Sequence, residues 1–237
     1  MKKSIAQYGQ IMLATTTVAL AALFCVNTLA ADNPTSGQRL NQIVQKKIVL
    51  PKYQNADFYV DGKFQLEKAK QAYFNMMKAH GYPVPESLRT NMWATDFGLG
   101  DFVNVGMAGV FWINDEKQGY FAHEIYLLPG QMIVEHGHEA TAKGKAKMET
   151  WHVRNGSIYT LGEEGGPIPA EVKLPKSQEK HITVTKCYEM QPGDIRTLNR
   201  VTAKHFMMGG PQGAIVSEYA TFHDGDGLRF SNPGVKF

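Results

Sequence analysis

From residue 101 onward the chain is written in short runs rich in Val, Ile, Phe and Tyr, separated by Gly, Pro and Asp. Val103–Asn114, Gly119–Leu128, Gln131–Glu135, Glu149–Arg154, His181–Lys186 and Gly213–Phe222 are runs of this kind. Short strands at such close spacing, with no strong helix among them, predict an antiparallel β sandwich or barrel. The loop Gly162–Pro169 reads as a hairpin tip. Ahead of this region, residues 64–80 read as one amphipathic helix, with Phe64, Ala69, Tyr73, Met76 and Met77 at helical spacing. That Met and aromatic stripe is a packing face. Gly81 and Pro83 end the helix, and Pro85–Leu88 adds a further turn. The expected organisation is an N-terminal arm and helical segment over 31–100, packed on a β-barrel over 101–237, with 31–237 as a single folded unit.

The first thirty residues have a different character. Lys2 and Lys3 precede a mostly apolar run from Ile11 to Val26, and Thr28-Leu29-Ala30 offers small residues to a signal peptidase. Residues 1–30 therefore read as a secretory signal peptide cut after Ala30, and the mature chain as periplasmic or secreted. A membrane anchor is disfavoured because the run is short and broken by threonines. Cys25 follows Phe24, where a lipoprotein needs a small residue. Once the leader is removed Cys187 is the only cysteine, so stability outside the cytoplasm comes from packing or metal rather than a disulfide. Cys187 itself reads as a packed strand thiol. A hydrophobic share of 43% excludes wholesale disorder, and a net charge of +3 without any Lys/Arg block excludes a nucleic-acid footprint. No membrane partner is expected after cleavage.

Within the β-rich region Gly130 is followed, after five residues, by His136-Gly137-His138. Glu149 comes after ten more, and Gly156 six beyond it; Pro192-Gly193-Asp194 later precedes His205. In a strand, residues i and i+2 project to one face, so His136 and His138 can grip one ion. Glu149 and His205, from other strands, complete a site of imidazole and carboxylate ligands. Such ligands without thiolate suit Mn²⁺, Zn²⁺, Fe²⁺, Ni²⁺ or Cu²⁺, and on an octahedral ion four of them leave open positions, as a catalytic site requires. Glu139 is a competing carboxylate, but it follows His138 directly and alternation turns it away. His152 has the opposite parity to Glu149 and should face outward. His80 ends the helix, where a cation suits the dipole. His123 and His181 have no assignable partner.

The full spacing, G-x5-HxH with E-x6-G and a later PG before a histidine, resembles the cupin motif pair, which implies a mostly β, jelly-roll-like antiparallel barrel. Five segments narrow the resemblance further: Thr95-Asp96-Phe97-Gly98-Leu99-Gly100-Asp101-Phe102, Lys147-Met148-Glu149, Asn155-Gly156, Pro192-Gly193-Asp194-Ile195 up to His205-Phe206, and Ser217-Glu218-Tyr219 through Asp224, Asp226, Arg229 and Phe230. In this order, over roughly residues 70–237, they are similar to the D-lyxose ketol-isomerases, a cupin family of sugar isomerases. The resemblance implies a small sugar substrate, interconversion of D-lyxose with D-xylulose, a Glu149 metal ligand and a homodimer. The stretch Glu139–Lys145 is an insertion relative to the cupin motif, and His223 stands where the family tends to have Asn.

An aldose–ketose isomerase moves a proton between C1 and C2 through an enediol. It needs a Lewis acid, a base at carbon and groups that hold the remaining hydroxyls. Mn²⁺ suits the first task, because six-coordination leaves room for both sugar oxygens; Zn²⁺ can occupy the same ligands in a purified sample. Lys147 shares the strand parity of Glu149 and is expected to exchange a proton with a substrate oxygen, with its pKa lowered by the neighbouring cation; a surface lysine is the alternative. Glu218 lies on a small, apolar inward face, where burial should raise its pKa towards that of a general base; the alternative is a buried partner of Arg229 or Lys147. Asp224, Asp226 and Arg229 follow that strand and are expected to hold sugar hydroxyls at the barrel mouth, unless they serve the turn itself. Trp151 has cavity parity and is expected to pack on a sugar face or in the core. Two other occupations of the site stay open: a non-catalytic carbohydrate-binding cupin and a metal-dependent cupin dioxygenase. D-mannose and D-fructose are a second candidate substrate pair.

Overall fold

A computed structural model of the chain describes residues 48–237. The expected signal peptide and most of the polar arm lie outside the described residues. Among the described residues no helix is long and apolar enough to cross a membrane.

A tight hairpin, β1 (Tyr59–Val60) and β2 (Lys63–Phe64), comes first. Asp61 and Gly62 turn it with φ of 50° and 73°, the left-handed pair that suits the twist of a two-residue hairpin. Helix α1 (Leu66–Ala79) follows and buries Ala69, Ala72, Tyr73, Met76 and Met77. Phe64, placed in the helix from sequence, belongs instead to β2. Gly81 takes a left-handed φ of 67° as α1 ends, and the Tyr82 amide reaches back to the Met77 carbonyl at 2.8 Å. Helix α2 (Glu86–Asn91) is longer than the turn expected at Pro85–Leu88.

The strands then run β3 (Trp93–Thr95), β4 (Met107–Asp115), β5 (Tyr120–Leu127), β6 (His136–His138), β7 (Glu149–Gly162), β8 (Gly166–Pro167), β9 (Lys186–Met190), β10 (Ile195–Thr197), β11 (Phe206–Thr221) and β12 (Leu228–Phe230), with a short helix α3 (Lys176–Glu179) before β9. Eight of them form one antiparallel sheet in the order β3-β4-β5-β11-β7-β9-β8, with β10 also on β7. The remaining pair, β12 with β6, forms a second small sheet. The sheet begins at Trp93, ahead of the residue 101 placed as the start of the barrel.

The alternation seen in sequence becomes two packed faces. Ile125, Leu127, Val153, Ala214 and Val216 point inward and meet Ile133, Val134 and Phe97 across the barrel. Ala108, Val110, Tyr126, Leu128 and Ile215 point outward and are covered by Tyr73, Met76 and Met77 of α1. Full burial of each such side chain contributes roughly 1.5–3 kcal/mol. Gly213, with φ of 70°, leaves room for the Met76 sulfur where α1 crosses the sheet.

Three strand expectations need correction. Val103 and its neighbours turn rather than extend, because the Asn104 and Val105 amides both fold back onto the Asp101 carbonyl. Gln131–Glu135 makes only isolated bridges, and the strand starts at His136. His181–Lys186 is mostly loop, since the Thr183 and Val184 amides donate to the Glu135 carboxylate at 2.8 and 3.1 Å instead of to a ladder. Cys187 sits inside β9, as a packed strand thiol should. It is buried, and its thiol is pushed up to about 11 by that burial and by Glu189 and Glu171, so it stays a protonated packing group.

Candidate metal centre

His136 and His138 flank Gly137 in β6 and present both rings to the barrel interior. His205 stands just ahead of β11 and is bridged to His136 by two backbone hydrogen bonds, of 3.0 and 2.9 Å. Glu149 opens β7, two places from Trp151 on the same inward face. One donor atom from each of His136, His138, Glu149 and His205 lies within 4.8 Å of the others. The four residues singled out by spacing are thus the four that the fold brings together.

Their hydrogen bonds fit a cation. His136 Nδ1 donates to the Val134 carbonyl and His205 Nδ1 to the Ala203 carbonyl, each at 2.9 Å. Both Nε2 atoms are thereby left as bare lone pairs directed at the cluster. His138 Nε2 and His205 Nε2 approach the Glu149 oxygens at 3.1 and 2.9 Å but are out of line for hydrogen bonds, and both are buried without a partner. Burial, with His205 and His138 alongside, holds the His136 imidazole well below its usual pKa, in the neutral form a metal requires. His205 is drawn the other way: burial lowers its pKa, but Glu149 beside it raises it further.

Lys147 and Glu218 extend the cluster. Lys147 is 5% exposed and Glu218 3% exposed. The Lys147 ammonium donates to Glu149 at 2.7 Å and to Glu218, and lies 4.5 Å from the Phe121 ring centre. Glu218 has Trp151 as its cross-strand neighbour on β7 and His123 on β5, and His123 Nδ1 stands 3.0 Å from its second oxygen. His123, without an assignable partner in the sequence, is the functional-site residue that was missed. Its signal was present: Phe121, His123, Ile125 and Leu127 alternate on the face that Glu218 also occupies. Gly109 of β4 lies beneath it, where a Cβ would collide with the His123 ring.

The expected rise of the Glu218 pKa is reversed, and Lys147 answers to its two carboxylate partners. Burial acts against the Lys147 charge, but the Glu149 and Glu218 carboxylates outweigh it and hold the lysine above its usual value. Burial alone would raise Glu218, but the Lys147 charge and the His123 hydrogen bond bring it below the ordinary glutamate value. Glu218 is therefore ionised and Lys147 protonated. The Lys147 ammonium thus stands between two buried carboxylates, Glu149 and Glu218, beside the neutral His136, an acidic floor suited to a bound cation.

These groups form the floor of a pocket whose other walls are mostly aromatic and aliphatic side chains. Trp151 lines it, 5.3 Å from the His205 ring. So does His223, whose pKa is lowered to about 4 by burial and the Lys147 charge, so that it is neutral at pH 7. Asp224, Asp226 and Arg229 are not among the lining residues. Asp224 accepts from Thr141 Oγ1 at 2.6 Å, Lys143 pairs with Asp226 at 3.1 Å, and Arg229 donates to Glu139 at 2.8 Å. The three residues clamp the Glu139–Lys145 insertion to the tail instead of facing the interior. For Arg229 the register explains this: β12 pairs Leu228 with His138, Arg229 with Gly137 and Phe230 with His136. Leu228 and Phe230 therefore share the face of the histidines, and Arg229 points away.

No protein-family model matches the chain. It is 32% identical over 169 residues to the D-lyxose ketol-isomerase of Cohnella laeviribosi, covering 71% of this chain and 91% of that protein. It is 29% identical over 174 residues to the D-lyxose/D-mannose isomerase of Thermosediminibacter oceani, covering 73% of this chain and 94% of the relative. Its fold is shared with the L-ribose isomerase of Acinetobacter sp. DL28, at a TM-score of 0.59 and 16% identity, over 71% of this chain and 92% of that one. A jelly-roll barrel of this kind, the His136, His138, Glu149 and His205 cluster in its interior and the sequence identity over most of the relatives' length lead to one assignment: the chain belongs to the D-lyxose ketol-isomerase family of aldose–ketose isomerases.

Proposed function

We propose that the chain is a divalent-metal-dependent isomerase that interconverts D-lyxose with D-xylulose, and D-mannose with D-fructose, through an enediol. The observation that carries this reading is the buried contact of the Lys147 amine with Glu218 beside a buried three-histidine, one-glutamate ligand set. His136, His138, Glu149 and His205 would hold the ion, for which Mn²⁺ is suited and Zn²⁺ is a competitor; bound there, it would act as a Lewis acid on the sugar carbonyl, an effect worth several kcal/mol.

The chain's own residues supply the proton chemistry. The Glu218 carboxylate takes the C2 proton of the aldose, and the C–H electron pair becomes the C1–C2 double bond of the enediol. Lys147 gives a proton to O1 as the carbonyl electrons move onto that oxygen. In the second half the O2 proton returns to Lys147 as the C2 carbonyl forms, and Glu218 delivers its proton to C1. No net proton is gained or lost. His123 fixes the carboxylate by its hydrogen bond, and the burial of Lys147, Glu149 and Glu218 excludes bulk water from the exchange.

Export after cleavage at Ala30, a homodimeric state and folding of 31–237 as one unit belong to the same proposal. The mass of the secreted chain and its mass in solution test the first two. The metal requirement is tested by stripping the protein with a chelator and reloading it with Mn²⁺. Turnover of D-lyxose should vanish and return; full turnover of a demonstrably metal-free protein would overturn the reading.

A further inference from the structure

Beyond its polar floor the cavity wall is mostly apolar. Among the described residues, no Ser, Thr, Asn, Gln, Asp, Arg or Tyr lines it. The Phe230 ring stands 6.0 Å from His136 and continues to Phe97 at 6.2 Å and to Phe237 at 6.1 Å. Phe237 meets Trp93 at 5.9 Å, Trp93 stacks on His123 at 5.6 Å, and Phe111 closes on His123 at 4.8 Å. The belt thus runs from a metal-ligand histidine round to the partner of Glu218. Phe97 is 1% exposed, while Phe237 is 59% exposed and stands at the rim.

A sugar whose C1 and C2 oxygens sit at the floor directs its remaining carbons into this belt. Besides the floor groups, the buried side-chain polar atoms there without a partner are Trp93 Nε1, His123 Nε2 and His223 Nδ1. Ring nitrogens of this kind can serve mid-chain hydroxyls. A terminal CH₂OH beyond them meets Phe97, Phe230 or Leu228 and loses its water without a replacement hydrogen bond, which is costly. A terminal methyl gains by the same burial.

We infer that the preferred substrate class is the terminally deoxygenated aldose, with a methyl group where ordinary aldoses carry CH₂OH. The inference rests on the isomerase reading of the site and adds the substrate's far end to it. It predicts that the metal-loaded protein turns over 6-deoxy-D-mannose with a kcat/KM at least about tenfold above that of D-mannose, equivalent to about 1.4 kcal/mol. The same order should hold for 5-deoxy-D-lyxose against D-lyxose. Phe230→Tyr and Leu228→Asn, which add a polar group to the wall, should each reduce the preference by about threefold or more. Calorimetric titration with 6-deoxy-D-mannitol and D-mannitol reads the same selectivity without turnover, since neither has a carbonyl. Turnover of both parents with no advantage for the deoxy sugars would overturn the inference and leave the isomerase standing. Tighter binding of the deoxy alditol, with no turnover of any sugar, would do the reverse. Equal binding of the two alditols would overturn it whatever the variants do.

Discussion

At the floor of the cavity the ligand residues come from backbone neighbours: β6 is bridged to His205, and Glu149 faces them from the first position of β7. The wall is assembled otherwise. Trp93, Phe97, Phe111, Phe230 and Phe237 come from β3, the following loop, β4, β12 and the tail, and meet only in the folded chain. The floor is charged and hydrogen-bonded; the wall is aromatic, although Phe230 is the register partner of His136 and Trp93 that of Gly109. On the proposed reading the floor carries the proton chemistry and the wall meets the far end of the substrate.

Breaking the floor should have the largest effect. His138→Ala and His205→Ala each remove a ligand, and activity should fall by ~10³-fold or more, with metal content lost in parallel. A metal assay on the folded variants checks this; full occupancy with full activity would contradict the ligand assignment. Gly109→Ala comes next. Its Cβ would displace the His123 ring that holds Glu218, so kcat should drop by about tenfold while the metal stays bound.

Those two predictions differ in how far the sequence could lead to them. The ligand set was legible because strand periodicity puts His136 and His138 on one face and the spacing to Glu149 and His205 is distinctive. Gly109 and His123 were not, because their contact depends on which strand lies beside β5. The long strands β7 and β11 are legible only in part, since Gly156 and Gly213 look like ends but lie within the strands, Gly156 paired with Ala214 and Gly213 inside the register shift between Gly209 and Ala214. Asp224 and Asp226 serve the turn itself, the alternative open in the sequence, with the Asp226 amide donating to the Asp224 carboxylate at 3.1 Å. Arg229 lies in a three-residue strand with no readable inward face until its partner is known, and pairing with β6 gave that face to Leu228 and Phe230. The aromatic wall was invisible because each of its rings, taken singly, reads as an ordinary core residue.

Acid provides a milder test of the floor. Burial would raise the pKa of Glu149 and Glu218, but Lys147 and the adjacent histidines hold both below the ordinary glutamate value of 4.5. Groups with depressed native pKa contribute stability that is present above the unfolded value and lost as pH falls through the native one. The thermal midpoint of the metal-free protein should therefore decline below about pH 4.5, and Glu218→Gln should flatten that decline. A variant with the same acid profile as the parent would contradict the ionised state assigned to Glu218.

The smallest effect is expected outside the cavity. Asp226→Ala and Arg229→Ala break exposed contacts to the insertion, and kcat/KM should stay within about twofold of the parent. A large rise in KM for either variant would return these residues to the sugar site.

Glu218 carries the proposed proton transfer most directly. D-lyxose turnover should be followed in deuterated water by NMR, with the parent and Glu218→Gln both loaded with Mn²⁺ and their metal content measured. The parent should interconvert D-lyxose and D-xylulose. The variant should hold the metal and lose turnover by about 10²–10⁴-fold, the span of a general base at carbon. A metal-loaded Glu218→Gln protein that isomerises at the parental rate would contradict the account.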